Sequence, residues 1–395
     1  MMIFIWVFLD ALVIVSFAFI PYITRKSELF GVGIPSSETK RPELNAMRRS
    51  FAATMVVLGL AVAAVQFLLL LHPSLNGGLS FSEVIQTSGI GAGLDGANMG
   101  DAGGIGRLLA AFLVPLFAWI ALDFLVYLRY HGRMKRYKAA QGWGEASHVR
   151  REYGNASAAS SVVLADTEPV EKEIFSALWL LLYVGIAAAT LIIAYAVWPT
   201  APERIAVHFG LTGEPDGWID KTPGAMLPLF ASQWILFGIF VFTYFIVRCS
   251  KRQLDASEPK ASKEQGRRFR RIMSGSLIFG GAALGALLGY IPLASLIGIS
   301  QRFISYFLIF FVCAIILAIV ILYIRVGQGG SRLRAKGGGE SAGAAPDEDR
   351  YWKLGVFYFN KNDPSLFVEK RFGVGYTNNW AHPQGWLLLI ALIAA

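Results

Sequence analysis

Seven apolar runs, each of about twenty residues or more, constrain this chain more than any motif does, because a helix of that length crosses a bilayer. They cover residues 3–22, 51–71, 108–128, 174–198, 226–247, 272–291 and 303–324. Only 16% of residues are charged and the mean hydropathy is +0.50, where a soluble domain carries about a quarter charged residues. Inside lipid the backbone must bond to itself, so each run is expected to be a helix. The fold class that follows is an all-α polytopic membrane protein with about seven transmembrane helices. A last apolar stretch, beginning at Trp386, is too short to cross a core about 30 Å thick. It is expected to lie at the interface or to be the stump of an eighth span. The first run has no basic residues before it and no small-residue cleavage site after it, so a retained helix is expected, not a signal peptide.

Basic residues set the expected orientation. Of 36 Lys and Arg residues, 32 fall in four segments, 23–50, 129–173, 248–271 and 325–385, and residues 72–106 hold none. Cytoplasmic loops carry such an excess. The N-terminus and the loop 199–224 are therefore expected outside and the segment 326–386 in the cytoplasm. The net charge of +9 then serves topology and contact with anionic lipid, and nucleic acid is excluded as a partner. Two cysteines, Cys249 and Cys313, leave no room for a disulfide framework or a thiolate metal site. No metal and no cofactor are expected.

The chain divides into a three-span region (1–130), a cytoplasmic polar linker (131–173) and a four-span module (174–325). A flexible linker rich in Gly and charge (326–350), an aromatic segment (351–386) and the short apolar tail (387–395) follow. Within the aromatic segment, Val356-Phe-Tyr-Phe359 and Leu366-Phe-Val368 flank the turn-prone 360–364 and predict a small cytoplasmic β-hairpin. Phe30-Gly-Val-Gly-Ile34 is echoed by Phe372-Gly-Val-Gly-Tyr376.

The polar loop 199–224, wedged between two apolar runs, is predicted to form a small extracytoplasmic cap. Ile205, Val207 and Phe209 alternate with Arg204, Ala206 and His208, as in a half-buried strand. Glu214-Pro-Asp-Gly217 fits a type I turn. His208, Glu214, Asp216, Trp218, Asp220 and Lys221 are the candidates for ligand binding or sensing, whether of a cation, of pH or of an extracellular ligand. The same residues also fit a purely structural loop. Asp10 and Asp123 lie within apolar runs, where an ionised carboxylate costs several kcal/mol unless paired or hydrated. They suggest an ion path, although Asp123 near Arg129 can also reach the interface. Gly281, Gly285 and Gly289 clear one helix face for close packing, within the chain or in a homo-oligomer. Gly91, Gly93 and Gly96 spell a G-x-G-x-x-G, but no strand–turn–helix context makes it a dinucleotide site. His131, His148 and His382 sit in basic segments and are expected to be solvated, and His72 to mark a helix end. No catalytic triad or paired-carboxylate site is visible, so no enzyme is expected.

Pro202, Ile205, His208, Phe209, Gly213, Asp216, Gly217, Trp218 and Lys221 resemble the loop pattern of a domain of unknown function in SdpI-like membrane proteins of Gram-positive bacteria. Ala206 departs from it, standing where that family usually has a second proline. Elements that accompany this domain are resembled by Phe30–Pro35 with Arg41-Pro-Glu-Leu44, Arg48 and Arg49. A C-terminal set, Trp352, Asn360, Asp363, Arg371, Gly373 and Asn379, resembles another such element. The resemblance implies a bacterial plasma-membrane protein acting in immunity to a toxin or in signalling, with an extracellular peptide or toxin and a cytoplasmic regulator as partners. A secondary transporter or channel using Asp10 and Asp123 is the alternative.

Overall fold

The apolar runs do form helices, and two groups of three account for most of their packing. The computed structural model describes residues 2–35, 38–71, 102–143, 173–209, 215–251, 259–299, 301–333 and 349–394. Helices α1 (Met2–Ile23), α2 (Pro42–Leu71) and α3 (Ala102–Ala140) pack together, as do α4 (Leu181–Val197), α5 (Met226–Cys249) and α6 (Pro259–Ile297). Helix α7 (Gln301–Val326) leans on α6, and the short α8 (Pro383–Ala394) occupies the expected apolar tail. Among the described residues, five stretches are long and apolar enough to cross a membrane: Pro42–Leu68, Ala177–Thr200, Pro223–Cys249, Ala261–Ile297 and Phe310–Gly330. The other two expected spans fall in α3 and in α1, whose described apolar stretch is the shorter Asp10–Ile23. Leu60, Phe117, Ile192 and Phe310 point outward from these helices, each more than half exposed. Such a surface needs an apolar solvent.

Two helices run well past the expected spans. At 1.5 Å per residue, the 39 residues of α3 and of α6 reach about 58 Å, against a hydrocarbon core of about 30 Å. The expected linker at 131–173 therefore begins ten residues too early. Helix α3 continues to Ala140 because Met134 is buried against the segment 29–34 and Lys and Arg are good helix formers. The expected flexible linker at 326–350 is also ordered at both ends: Gln328 is fully buried and Asp349 is held by three partners. Residues 334–348 lie outside the described residues, as do the glycine-rich 72–101 with Gly91, Gly93, Gly96 and His72, and the polar stretch 144–172 with His148.

The glycine ridge of α6 is an internal seam. A Cβ at Gly285 would sit 1.9 Å from the Phe237 ring, one at Gly281 2.3 Å from Tyr183 Oη, and one at Gly289 2.5 Å from Gln233 Nε2. Tyr183 of α4 and Phe237 of α5 stack at 4.6 Å over the gap, so both neighbouring helices fill the cleared face. Gln233, fully buried, donates to Thr190 Oγ1 (3.2 Å) and to the Gly285 carbonyl (2.9 Å). This face is used up within the chain and is not left for a homo-oligomer.

Gly285→Ala should therefore destabilise the purified protein by about 1–3 kcal/mol through overpacking. Gly280→Ala, on the same helix with nothing within 4 Å of its Cβ, should be neutral or stabilising by up to about 1 kcal/mol. Thermal unfolding of the two variants in detergent checks the pair.

Candidate functional site

Polar, ordered structure gathers at the two ends of the helices. At one end, β3 (Arg204–Phe209) pairs antiparallel with β4 (Pro215–Asp220). Ile205 is fully buried against Ala194, Met226, Phe230 and Leu296, so the hairpin rests on the ends of α4, α5 and α6. Lys221 closes its base: the ammonium donates to the Ala201 carbonyl (2.8 Å) and the Pro199 carbonyl (3.3 Å), and its amide donates to Glu203 (2.8 Å). Of the sequence candidates here, Lys221 is thus a clip. Trp218 and Asp220 are exposed, and the Arg204 guanidinium lies 5.9 Å over the Trp218 ring. His208 stands opposite Gly217 in the register, Asp216 lies within β4, and Glu214 lies outside the described residues.

Two expectations fail here. The turn is not at 214–217, because 215–217 belong to β4, with Pro215 opposite Phe209 and Gly217 opposite His208. Nor do Ile205 and Val207 share a buried face. The register shifts around His208, a β-bulge that breaks the two-residue alternation, and Val207 is exposed while Ala206 is buried.

At the other, basic end, three tight turns meet. Strands β1 (Glu28–Leu29) and β2 (Val32–Gly33) are joined by Phe30 and Gly31, both at positive φ (50° and 75°), the signature of a type I′ turn. Left-handed geometry costs a side-chain-bearing residue about 1–2 kcal/mol. Burying the Phe30 ring returns about 1.5–3 kcal/mol, and the ring sits 5.1 Å from Phe51, 5.3 Å from Tyr130 and 6.2 Å from Phe372. Strands β5 (Trp352–Lys353) and β6 (Phe357–Tyr358) turn through the three residues 354–356, with Leu354 and Gly355 again at positive φ (54° and 73°). The two turns abut: a Cβ at Gly31 would lie 2.5 Å from the Gly355 carbonyl oxygen. Tyr127 Oη donates to the carbonyl of Leu354 (2.9 Å), and His131 Nδ1 donates to that of Phe30 (2.8 Å). His131 is therefore half-buried and bonded, not solvated. His382 is likewise bonded, through Nε2 to the Asp363 carbonyl at 2.7 Å.

The third turn joins β7 (Phe367–Glu369) to β8 (Tyr376–Asn378) through Gly373 and Gly375, at φ 90° and 101°. The expected hairpin of 356–359 with 366–368 does not form, because each of those strands takes a different partner. Residues 360–364 instead fold around two side chains. Asn379, fully buried, donates to the carbonyls of Asn360 (2.8 Å) and Asp363 (3.1 Å) and accepts from the Asn360 amide (3.0 Å). Asp363 accepts from Lys251 Nζ and Tyr358 Oη, each at 2.8 Å, and from the Ser365 amide. Arg371 stacks on Trp352 at 5.2 Å and pairs with Asp349 and Glu28. Asp349 in turn holds Lys138 (2.7 Å) and the Gly33 amide (3.1 Å). Burial alone would raise the Asp349 carboxyl, but Arg371, Lys138 and that amide outweigh it and hold the group below 3.8. Trp352, Asn360, Asp363, Arg371, Gly373 and Asn379 thus belong to one structure. The sequence reading missed Tyr127, Lys138, Lys251 and Asp349; only the Phe-Gly and Leu-Gly pairs signalled the turns they serve.

Asp10 and Asp123 sit on different helices. Asp10 is half-buried on α1; Asp123 is buried beside Trp119 on α3, and Arg129 on the same helix is exposed.

Membrane-length helices, greasy outward faces and ordered polar ends define a multi-pass integral membrane protein. Within it, residues 185–231 match the model of a domain of unknown function (DUF1648), a membrane-associated domain family, and residues 361–386 match that of a family of unknown function (DUF5808). The first match covers the β3–β4 hairpin with most of α4 and the first turns of α5, and the second covers Asp363, Arg371 and Asn379. No curated protein and no solved structure matches the chain.

Asn379→Ala would strand several buried backbone groups, at about 1–3 kcal/mol for each one left unsatisfied. It should lower thermal stability and open residues 349–386 to limited proteolysis while the helical circular dichroism persists. A pH effect follows from His131. Burial holds its imidazole below 6.5, against the Phe30 carbonyl, which favours the charged ring. The unfolded chain then binds the proton first, so stability is complete above pH 6.5 and falls as pH drops from there through the lowered folded value. His131→Asn, which keeps a donor for Phe30, should flatten the melting temperature against pH over that window.

Proposed function

We propose that this chain is a non-enzymatic plasma-membrane protein that recognises an extracellular peptide, toxin or envelope signal through the β3–β4 hairpin. In this reading it acts like the SdpI-like immunity proteins and relays occupancy to a cytoplasmic regulator through the basic end. The observation that carries the reading is Trp218, 45% exposed with Arg204 over its ring, on a hairpin pinned at its base. Trp and Arg are the residues that most often anchor protein interfaces, and a rigid base keeps the ordering cost of binding low. Helix α6 offers the relay. Leu296 packs under the hairpin, and Phe269, about 40 Å away at 1.5 Å per residue, packs with Val326 and Tyr376 beside the Asp363 cluster.

Trp218→Ala with Arg204→Ala should cut survival under toxin or envelope stress at least about tenfold, at unchanged protein level. Lys221→Ala should instead lower the protein level. Unchanged survival in the double variant would sink the recognition role. Asp123, buried in a membrane helix, favours the alternative of a secondary transporter or channel. Gradient-driven uptake in proteoliposomes, abolished by Asp123→Asn or Asp10→Asn, would establish that alternative.

A further inference from the structure

Helix α3 carries Val126, Arg129, Tyr130 and Arg133 at i, i+3, i+4 and i+7, a spacing that puts all four on one face. Facing them, α2 carries Ser50 and Thr54 one turn apart. The two faces enclose a groove of about 230 Å³ lined by these six residues. Its floor is hydroxylic: Ser50 Oγ and Tyr130 Oη lie 2.7 Å apart, and Thr54 Oγ1 is 3.4 Å from the same Tyr130 oxygen. Thr54 Oγ1 donates to the Ser50 carbonyl (2.9 Å), so when Tyr130 donates across the short contact to Ser50 the Ser50 proton is left for an occupant. The rim is cationic, since Arg129 and Arg133 are both exposed. Among the described residues neither has a carboxylate partner.

The groove lies where both helices pass from basic to apolar. Arg48 and Arg49 come just before the run that starts at Phe51, and Arg129 comes just after the run that ends at Leu128. From that level the exposed Val57, three residues on from Thr54, and Leu122, four residues before Val126, continue the same two faces into the apolar zone. A small soluble anion would use only the rim and the floor. A ligand with a phosphate head and acyl tails uses the flanks as well.

We propose that this groove binds the phosphodiester headgroup of an anionic phospholipid. Arg129 and Arg133 grip the phosphate oxygens through their paired N–H donors, one hydroxyl of the Ser50–Tyr130 pair donates from the floor, and the acyl chains lie along Val57 and Leu122. The site is separate from the β3–β4 hairpin and does not depend on what that hairpin recognises.

The test is lipid binding by the full chain in nanodiscs of phosphatidylcholine with or without phosphatidylglycerol, read by native mass spectrometry. R129Q/R133Q should weaken phosphatidylglycerol retention about thirtyfold, while K40Q/K353Q, with the same charge change on exposed lysines elsewhere, should leave it within about twofold. Thr54→Leu, which fills the groove and removes no charge, should also lose the lipid and keeps the test open if the double arginine variant fails to fold. Equal loss in K40Q/K353Q would mean general surface attraction and overturn the proposal, as would retention in both groove variants. Inorganic phosphate added to the detergent-solubilised protein should not displace the lipid; displacement at millimolar phosphate would assign the groove to a soluble anion and overturn the lipid reading.

Discussion

Everything at the basic end of this molecule hangs on two glycine turns meeting back to back. Gly31 and Gly355 approach so closely that a Cβ on Gly31 would lie 2.5 Å from the opposite carbonyl oxygen. That contact joins the segment after the first helix to the segment after the seventh. Helix α3 supervises it, with Tyr127 and His131 each capping a carbonyl that the tight turns leave outside any strand ladder. An unbonded carbonyl buried there would cost about 1–3 kcal/mol, so the two ring donors decide whether the turns can be buried at all.

Charge completes what the turns begin. Asp349 and Arg371, both from the C-terminal part of the chain, reach Lys138 on α3 and Glu28 and Gly33 of the first hairpin. Arg25 reaches across to Glu369, and Lys251 at the end of α5 reaches Asp363. Buried pairs of this kind add little net stability, because desolvation offsets most of the attraction, but breaking one leaves an uncompensated charge. Their effect is to specify which helix ends the C-terminal segment can sit on. That segment thereby ties the N-terminal helix group to the second group, whose own seam of Gly281, Gly285 and Gly289 is filled by aromatic and amide side chains. The protein thus has a hairpin pinned at its base at one end of α6 and a cross-linked collar at the other.

The apolar runs and the polar loop that carries Trp218 were legible because each depends on local chemistry. A run of twenty apolar residues has few alternatives in lipid. The C-terminal set Trp352, Asn360, Asp363, Arg371, Gly373 and Asn379 was also legible as a group, since its aromatics, amides and glycines stand out against greasy helices. Its pairing was not. Residues 360–364 look like the turn between 356–359 and 366–368, yet Leu354-Gly355 and Gly373–Gly375 supply the turns. Asn360 and Asp363 are occupied instead with holding Asn379 and Lys251. Side chains that read as turn formers serve here as acceptors for residues far along the chain. The hairpin cap misled for a related reason: the register shifts on both sides of His208, and the two-residue alternation already fails at Ala206 and Val207.

By itself the sequence determined that the chain lives in a membrane, where its helices begin to be apolar and where its basic charge collects. These follow from solvation, which each residue meets wherever it stands in the fold. Only the tertiary structure decided that α3 and α6 outrun the bilayer and that the glycine ridge faces Phe237 and Tyr183. It alone decided that His131 is bonded to Phe30 and that Ser50, Tyr130 and two arginines share one groove. Those outcomes depend on which surfaces meet across tens to hundreds of residues, and a close approach between two backbones leaves no local trace except a glycine.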